Sequence, residues 1–329
     1  MKKVLIVLLL AAMVAPVFAD DAATLPAGVM RTRIIPSLTI VNEWFDSSGS
    51  RQSNNPNPAL PGVMDSAQLY NLSGAIEYGI TDWLTAGVQW TPGWTFNSNI
   101  DFETDFPNDN LVSTGVNDLF VGFKAQVLGP NGLAPNQQVR LAITPGVKIP
   151  LSQYDGTEEA ANVGLPLALQ QSTSDYRLSR TDRGAWGLGG RFALDYFITP
   201  DLFINLYNQT SYFLPVTQDL RPTETNVKVE YGIESIFEIE ANYSMPLGNG
   251  VNLGLGLPVT YAITAEDTVG GNAEDNASKL LTVGPSVSFF FTSWALPMEF
   301  ELGYTLPIMG ENSPAANTIS LQIKNFLRF

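Results

Sequence analysis

The chain has 329 residues, no cysteine, no histidine and a formal net charge of -15 at pH 7. Without cysteine, an exported protein gains no stability from disulfides. The acidity argues against nucleic-acid binding, because phosphate contacts need clustered lysine and arginine. Histidine-dependent hydrolases and most transition-metal sites are excluded, since their usual general base and ligands are missing. The sequence therefore predicts a protein that is not an enzyme and that binds no cofactor or metal.

The first 19 residues have the pattern of a secretory signal peptide. Two lysines precede an almost wholly apolar stretch, which ends at Ala19 after small residues suited to cleavage. An anchoring membrane helix is the alternative, but the apolar stretch is shorter than the ~20 residues that a span needs. We therefore predict a signal peptide over 1–19 and one domain over 20–329.

From residue 29 onward, apolar and polar side chains alternate with a period of two, which indicates strands with one apolar and one polar face. The alternation predicts about twelve strands. They lie over 29–44, 68–78, 83–96, 118–128, 139–151, 186–198, 202–213, 227–243, 251–263, 280–291, 298–308 and 318–329. The uncharged stretch 280–298 could be a membrane helix by length, but its apolar residues also alternate, which favours a strand.

The connections between these strands are short and long in turn. Short turns are predicted at 80–82, 129–137, 199–201, 246–250 and 292–297, and longer polar loops at 46–66, 97–117, 152–185, 214–226, 264–277 and 309–317. This layout is typical of a transmembrane barrel, because lipid satisfies no backbone hydrogen bond and a closed sheet leaves none unpaired. A soluble β-sandwich would show the same alternation, although with shorter strands. The sequence predicts an all-β, antiparallel up-and-down barrel in the bacterial outer membrane.

Three stretches carry a resemblance to a known family: EYGITDWLTAGVQW (77–90), GVNDLFVGFK (115–124) and ITPGVKIPL (143–151). They are similar to bacterial outer-membrane transport proteins named for the meta pathway of phenol degradation, a family related to long-chain fatty-acid transporters. The resemblance implies a channel or facilitated transporter for small molecules, hydrophobic ones included. The last strand, which ends at Phe329, resembles the signal read by the barrel-assembly machinery. The expected partners are that machinery, outer-membrane lipid and small-molecule solutes.

The fatty-acid transporters carry an N-terminal hatch inside the barrel, and this chain departs from them there. The first predicted strand begins at residue 29, so the segment 20–27 is too short to plug a lumen. The segment 152–185 is the expected plug, with a solvated surface loop as the alternative. The acidic stretch 101–109 lacks the spaced glycine and terminal glutamate of a calcium loop, and we interpret it as a surface loop.

If the apolar residues of each strand face lipid, the charged residues that alternate with them should face the lumen. The predicted pore-lining residues are Arg31, Arg33, Lys124, Arg140, Lys148, Arg191, Glu230, Glu234, Glu238, Glu240, Glu299, Glu301, Lys324 and Arg328. Opposite charges on separate walls would set a field across the pore, and the glutamates of the eighth strand would favour cations or neutral solutes. Alternatively, residues of neighbouring strands, such as Glu299 and Lys324, neutralise each other.

Two functions remain open from sequence alone. Barrels of eight strands are filled by side chains, and barrels of sixteen or more strands leave a channel. A barrel of about twelve strands lies between these two cases. The chain is therefore either a channel or a structural, adhesin-like barrel, whose lumen is blocked and whose long loops bind an external partner. Open-pore conductance distinguishes the two.

Overall fold

The computed structural model describes residues 21–53, 64–102, 110–111, 115–151, 183–219 and 225–329. Three predicted features lie wholly or mostly outside these ranges: the signal peptide (1–19), the acidic stretch 101–109, and the expected plug up to residue 182. In the part of the chain that is described, no helix has the length and hydropathy needed to cross a membrane.

Twelve long antiparallel strands close into a barrel. They are β1 (Val29–Phe45), β2 (Met64–Thr81), β3 (Leu84–Phe102), β4 (Leu119–Gly129), β5 (Val139–Ile149), β6 (Gly187–Thr199), β7 (Leu202–Phe213), β8 (Glu234–Gly248), β9 (Val251–Thr264), β10 (Ser278–Val283 and Ser286–Phe291), β11 (Met298–Glu311) and β12 (Ser313–Arg328). Each strand pairs with its neighbours in the chain, and β12 also pairs with β1. The predicted strand number and the closing role of the last strand are confirmed.

The outer surface of the barrel is apolar. Ile76 on β2 and Phe123 on β4 are 57% and 53% exposed, and aliphatic or aromatic side chains occupy the same register on the other strands. Tyrosine and tryptophan side chains are exposed toward the strand ends, among them Tyr78, Tyr196 and Trp186. An apolar band between aromatic girdles matches the hydrocarbon layer and its interfaces. The barrel is therefore transmembrane, and the end with the short turns is periplasmic.

The eighth strand begins later than the sequence predicts. Val227–Glu230 belongs to a separate four-stranded sheet with Val216–Gln218, Thr268–Val269 and Asn272–Ala273, and β8 starts only at Glu234. Gly232 lies at the break, where a Cβ would clash with the carbonyl oxygen of Ala265. The strand breaks because two loops at the extracellular end pass each other closely there.

The last hairpin is tighter than predicted. The sequence predicts a long polar loop over 309–317, but β11 and β12 extend through most of it and only Asn312 separates them. Asn312 has a φ of 46°, in the left-handed region that asparagine tolerates better than most residues. The turn residue was visible in the sequence, but the length of the flanking strands was not.

Candidate functional site in the barrel lumen

An arginine pair lies on the inner wall where β1 meets β2. Arg31 directly opposes Glu77 in the ladder, and its Nε and Nη2 donate to the two carboxylate oxygens at 2.6 and 2.9 Å. Arg33 Nη2 lies 3.5 Å from the same carboxylate. All three side chains are nearly buried, so the negative charge of Glu77 is compensated within this cluster by the two arginines.

A second charge cluster lies where β11 meets β12. Lys324 Nζ donates to Glu299 at 3.0 Å and to Glu301 at 3.1 Å, and Gln322 Nε2 donates to Glu301 at 2.9 Å. Lys324 directly opposes Glu299 in the ladder, as the cross-strand alternative predicted. Lys324 therefore pairs with both carboxylates, and neither faces the pore as an isolated charge.

At the extracellular end, Glu234 is held by two cations. Lys148 Nζ donates to it at 2.9 Å and Arg183 Nη2 at 2.6 Å. The Arg183 guanidinium lies between the rings of Phe213 and Tyr231, 4.9 and 4.8 Å from their centroids. Burial alone would lower the pKa of Arg183, but the facing carboxylates raise it, so this loop residue stays charged.

The segment 21–27 enters the lumen from the periplasmic end. Ala22 is fully buried, its N–H donates to Asp195 at 3.2 Å, and its carbonyl accepts from Gln126 Nε2 at 3.0 Å. Lys124 Nζ donates to the backbone carbonyl of the residue before Ala22 at 3.0 Å. The sequence predicted this segment to be too short for a plug. The structure shows that it nevertheless covers part of the inner wall, because polar side chains of β4 and β6 bind its backbone.

A ring and a guanidinium fill the middle of the same wall. Phe120 points inward and is buried against Gly189, where a Cβ would lie 2.7 Å from the ring. Arg191 lies over the Phe120 ring, with its guanidinium carbon 3.8 Å from the ring centroid, and its Nη1 donates to Gln89 Oε1. We call the inner faces of β3–β6, together with the segment 21–27, the packed side.

Between the segment 21–27 and the wall that faces it, the lumen contains a cavity of about 390 Å³. We call the inner faces of β8–β11, which form most of its wall, the cavity side. Polar residues on the wall include Asn205, Glu240, Ser286, Ser288, Gln322 and Lys324. The rings of Phe203, Phe290 and Phe326 line it near the periplasmic turns. The cavity can therefore contact both a polar group and an apolar group of one small molecule.

Glu238 and Glu240 differ from the other lumen carboxylates. Thr260 Oγ1 donates to Glu238 at 2.5 Å, but no basic side chain of the described ranges lies within 4.0 Å of either carboxylate. Each of the clusters above contains cations next to its carboxylates. Glu238 and Glu240 on β8 are thus lumen carboxylates without a basic side chain at ion-pair distance among the described residues.

The family model described as "putative MetA-pathway of phenol degradation" matches residues 99–323. The chain belongs to this family. Its fold is that of an outer-membrane channel of Pseudomonas putida F1, with a TM-score of 0.63 and 15% identity over 94% of this chain and all of that one. The outer membrane is accordingly the location of this family member. No curated protein matches the sequence at a significant level.

Two further solved structures are more distantly similar. The toluene transporter TbuX of Ralstonia pickettii gives a TM-score of 0.40 with 12% identity, over 94% of this chain and 92% of that one. A FadL homologue of Pseudomonas aeruginosa gives 0.38 with 8% identity, over 92% and 90%. Such weak similarity supports no argument about the site.

In this member of the phenol-degradation family, most of the predicted charged residues lie on the inner wall. They are Arg31, Arg33, Lys124, Arg140, Lys148, Arg191, Glu234, Glu238, Glu240, Glu299, Glu301 and Lys324. Glu230 lies in the small extracellular sheet, exposed and paired with Lys228 at 2.5 Å, because the strand breaks before β8. Arg328 is exposed at the periplasmic end of β12, opposite Val29. That the inner residues line a conducting pore stays a prediction.

The prediction considered charges and missed two buried amides. Asn205 and Gln322 lie in the inward register of β7 and β12 and contact the cavity. The period-two alternation that placed Lys324 inside also places Gln322 there, so the signal was present. Arg183 was missed for another reason, because no periodicity applies to a loop residue.

Proposed function

We propose that the chain is an outer-membrane channel, not an enzyme, and that it passes small polar or amphipathic molecules, aromatic compounds included. The cavity of about 390 Å³ is the observation that carries this proposal. Its size suits a small molecule, and its wall combines polar groups with phenylalanine rings. The family's description supports aromatic substrates, and the polar wall favours those that carry a polar group over pure hydrocarbons.

We further propose that the channel prefers cations over anions. Glu238 and Glu240 have no basic partner among the described residues, whereas Glu234 is held by Lys148 and Arg183. Unpaired carboxylates on a pore wall raise the local concentration of cations.

The test is single-channel current from refolded protein in a planar bilayer under a KCl gradient. Replacing both Glu238 and Glu240 by glutamine should move the reversal potential toward the anion side. Glu230→Gln is the matched control, because this exposed carboxylate lies outside the barrel wall. Equal reversal potentials in all three proteins would contradict the selectivity. Silence from a folded barrel would contradict the channel and favour the adhesin-like alternative.

We also propose that the barrel-assembly machinery recognises the terminal strand and that outer-membrane lipid surrounds the apolar band. Phe329 is 79% exposed at the periplasmic end, where its backbone N–H donates to Gly28 at 2.9 Å. Phe329→Ser should lower the yield of inserted barrel in cells without lowering the yield of barrel refolded in detergent. Loss of both would indicate a folding defect instead.

A further inference from the structure

The inner wall binds the segment 21–27 mainly through the main chain of that segment. Lys124 Nζ donates to the carbonyl oxygen of the residue before Ala22 at 3.0 Å, and Gln126 Nε2 donates to that of Ala22 at 3.0 Å. The Asp195 carboxylate accepts from the Ala22 N–H at 3.2 Å. Donor side chains thus face carbonyl oxygens and a carboxylate faces an N–H, and the bonds from charged groups are the stronger kind.

The same kind of contact continues toward the periplasmic turns. Thr85 Oγ1 accepts from the Leu25 N–H at 2.9 Å, and the Asp82 carboxylate accepts from the Ala27 N–H at 3.0 Å. The contacts therefore lie on β4 and β6 at one end and on β3 and the turn before it at the other. The segment crosses the wall instead of pairing with the edge of a strand, and no helix or strand forms over 21–26.

One side chain of the segment is fully enclosed by the wall. Ala22 is 0% exposed and packs against Ala142, Ala193 and Tyr207, which lie on β5, β6 and β7. This pocket holds a methyl group, and a larger side chain would overpack it. Main-chain hydrogen bonds that give affinity and a side-chain pocket that gives specificity are the two parts of a site for a peptide.

We infer that this inner wall is a binding site for a short peptide with a small side chain at the position of Ala22, and that the segment 21–27 is its resident occupant. Because the wall binds mainly the main chain, which all peptides share, it accepts a second peptide once the segment is displaced. In the parent protein, the covalent link gives the segment an effective concentration of about millimolar, so the segment excludes a peptide from solution. The inference goes beyond the proposed channel function, since binding requires no current.

The test is the fluorescence anisotropy of a labelled peptide mixed with refolded barrels in detergent. The peptide has the sequence of residues 21–26 and is acetylated and amidated, so that it carries no terminal charge. Two variants leave the wall free: one lacks residues 22–26, and one carries Ala22→Leu in the full chain, so that the segment does not fit the pocket. We expect both to bind the peptide, and the parent protein to bind it at least about tenfold more weakly.

Controls show whether the peptide occupies the wall. A second peptide with Ala22→Leu should bind at least about tenfold more weakly than the first, because it overpacks the methyl pocket. Gln126→Met, introduced into the deletion variant, leaves the Ala22 carbonyl of the peptide without its donor and should weaken binding about tenfold. Gln138→Met is the matched control, because this glutamine is exposed in a periplasmic turn, and it should leave binding unchanged.

The outcomes separate this inference from the proposed function. Failure of both variants to bind the peptide, when circular dichroism shows that they are folded, overturns the inference and leaves the channel standing. Equal binding of the two peptides, equal binding by the parent protein, or binding that Gln126→Met leaves unchanged overturns it too, because the peptide would then lie elsewhere. Absence of single-channel current from a barrel that binds the peptide as expected contradicts the channel and supports the peptide site.

Discussion

The packed side and the cavity side of the lumen are built from the same kind of strand, and both contain inward glycines. On the packed side, the space above Gly189 is filled by the Phe120 ring, and the segment 21–27 covers the wall below. On the cavity side, Gly254 and Gly256 face serine hydroxyls, Glu240 and Asn242. The comparison shows that side-chain size and the N-terminal segment, rather than strand number, decide which part of this lumen is open.

Removing residues 22–26 tests the packed side most strongly. The deletion takes a strip of backbone out of the lumen, so single-channel conductance should rise at least about twofold, since conductance follows the free cross-section. Ala23→Ser, which keeps the backbone, is the control and should conduct like the parent protein. Unchanged conductance in the deletion would mean that the narrowest point lies elsewhere in the lumen.

Filling the cavity side should have the opposite effect. Gly256→Leu places a side chain against the flexible ends of Ser286 and Glu240, and it should reduce conductance by about half by narrowing the lumen. Gly190→Leu is the matched control, because nothing lies within 4 Å of its Cβ and the position is exposed on the outer face. If both variants reduce conductance equally, the effect is on folding and not on the cavity.

The difference between the two sides was only partly visible in the sequence. The alternation placed strands and faces correctly, down to the pairing of Lys324 with Glu299, because register in a barrel is fixed by which face meets lipid. The segment 21–27 has no such periodicity. Its position depends on side chains as distant as Lys124 and Asp195, and no local pattern in the sequence shows that these residues bind the segment.

The extracellular cluster around Arg183 was not predicted from the sequence for the same reason. Its partner Glu234 is the first residue of β8, and its partner Asp267 lies in the connection after β9. The break before β8 that positions them follows from a close backbone approach at Gly232. Contacts between loops of this kind are set by the folded barrel and not by local pattern.

Arg183→Met should destabilise this cluster without opening either side of the lumen. The change removes one of the two cations that hold Glu234 and the guanidinium next to Asp267, and breaking a buried ion pair costs about 3–5 kcal/mol. Hydrogen exchange at the backbone amides of the four-stranded sheet should accelerate accordingly. Arg51→Met is the control, because its pair with Glu43 is nearly half exposed and such pairs contribute less than about 1 kcal/mol. Similar acceleration in both variants would contradict the role of burial.

The smallest expected effect lies at the turn after β1, outside both sides of the lumen. Hydrogen bonds from the Ser48 hydroxyl, the Gln52 amide and the Ser50 backbone lower the pKa of Asp46 to about 2. Because the pKa is depressed on folding, the stabilisation of the turn is complete above the ordinary pKa of aspartate and is lost as the pH falls through about 2. The carboxyl ¹³C shift of Asp46 should titrate at that pH, and exchange of the Ser48 and Ser50 amides should accelerate together with it. Asp46→Asn keeps one acceptor oxygen that cannot titrate, so its amide protection should not change with pH in this range. A midpoint near 4 for Asp46 would show that the turn is open in the membrane-bound protein, while both sides of the lumen would keep the properties tested above.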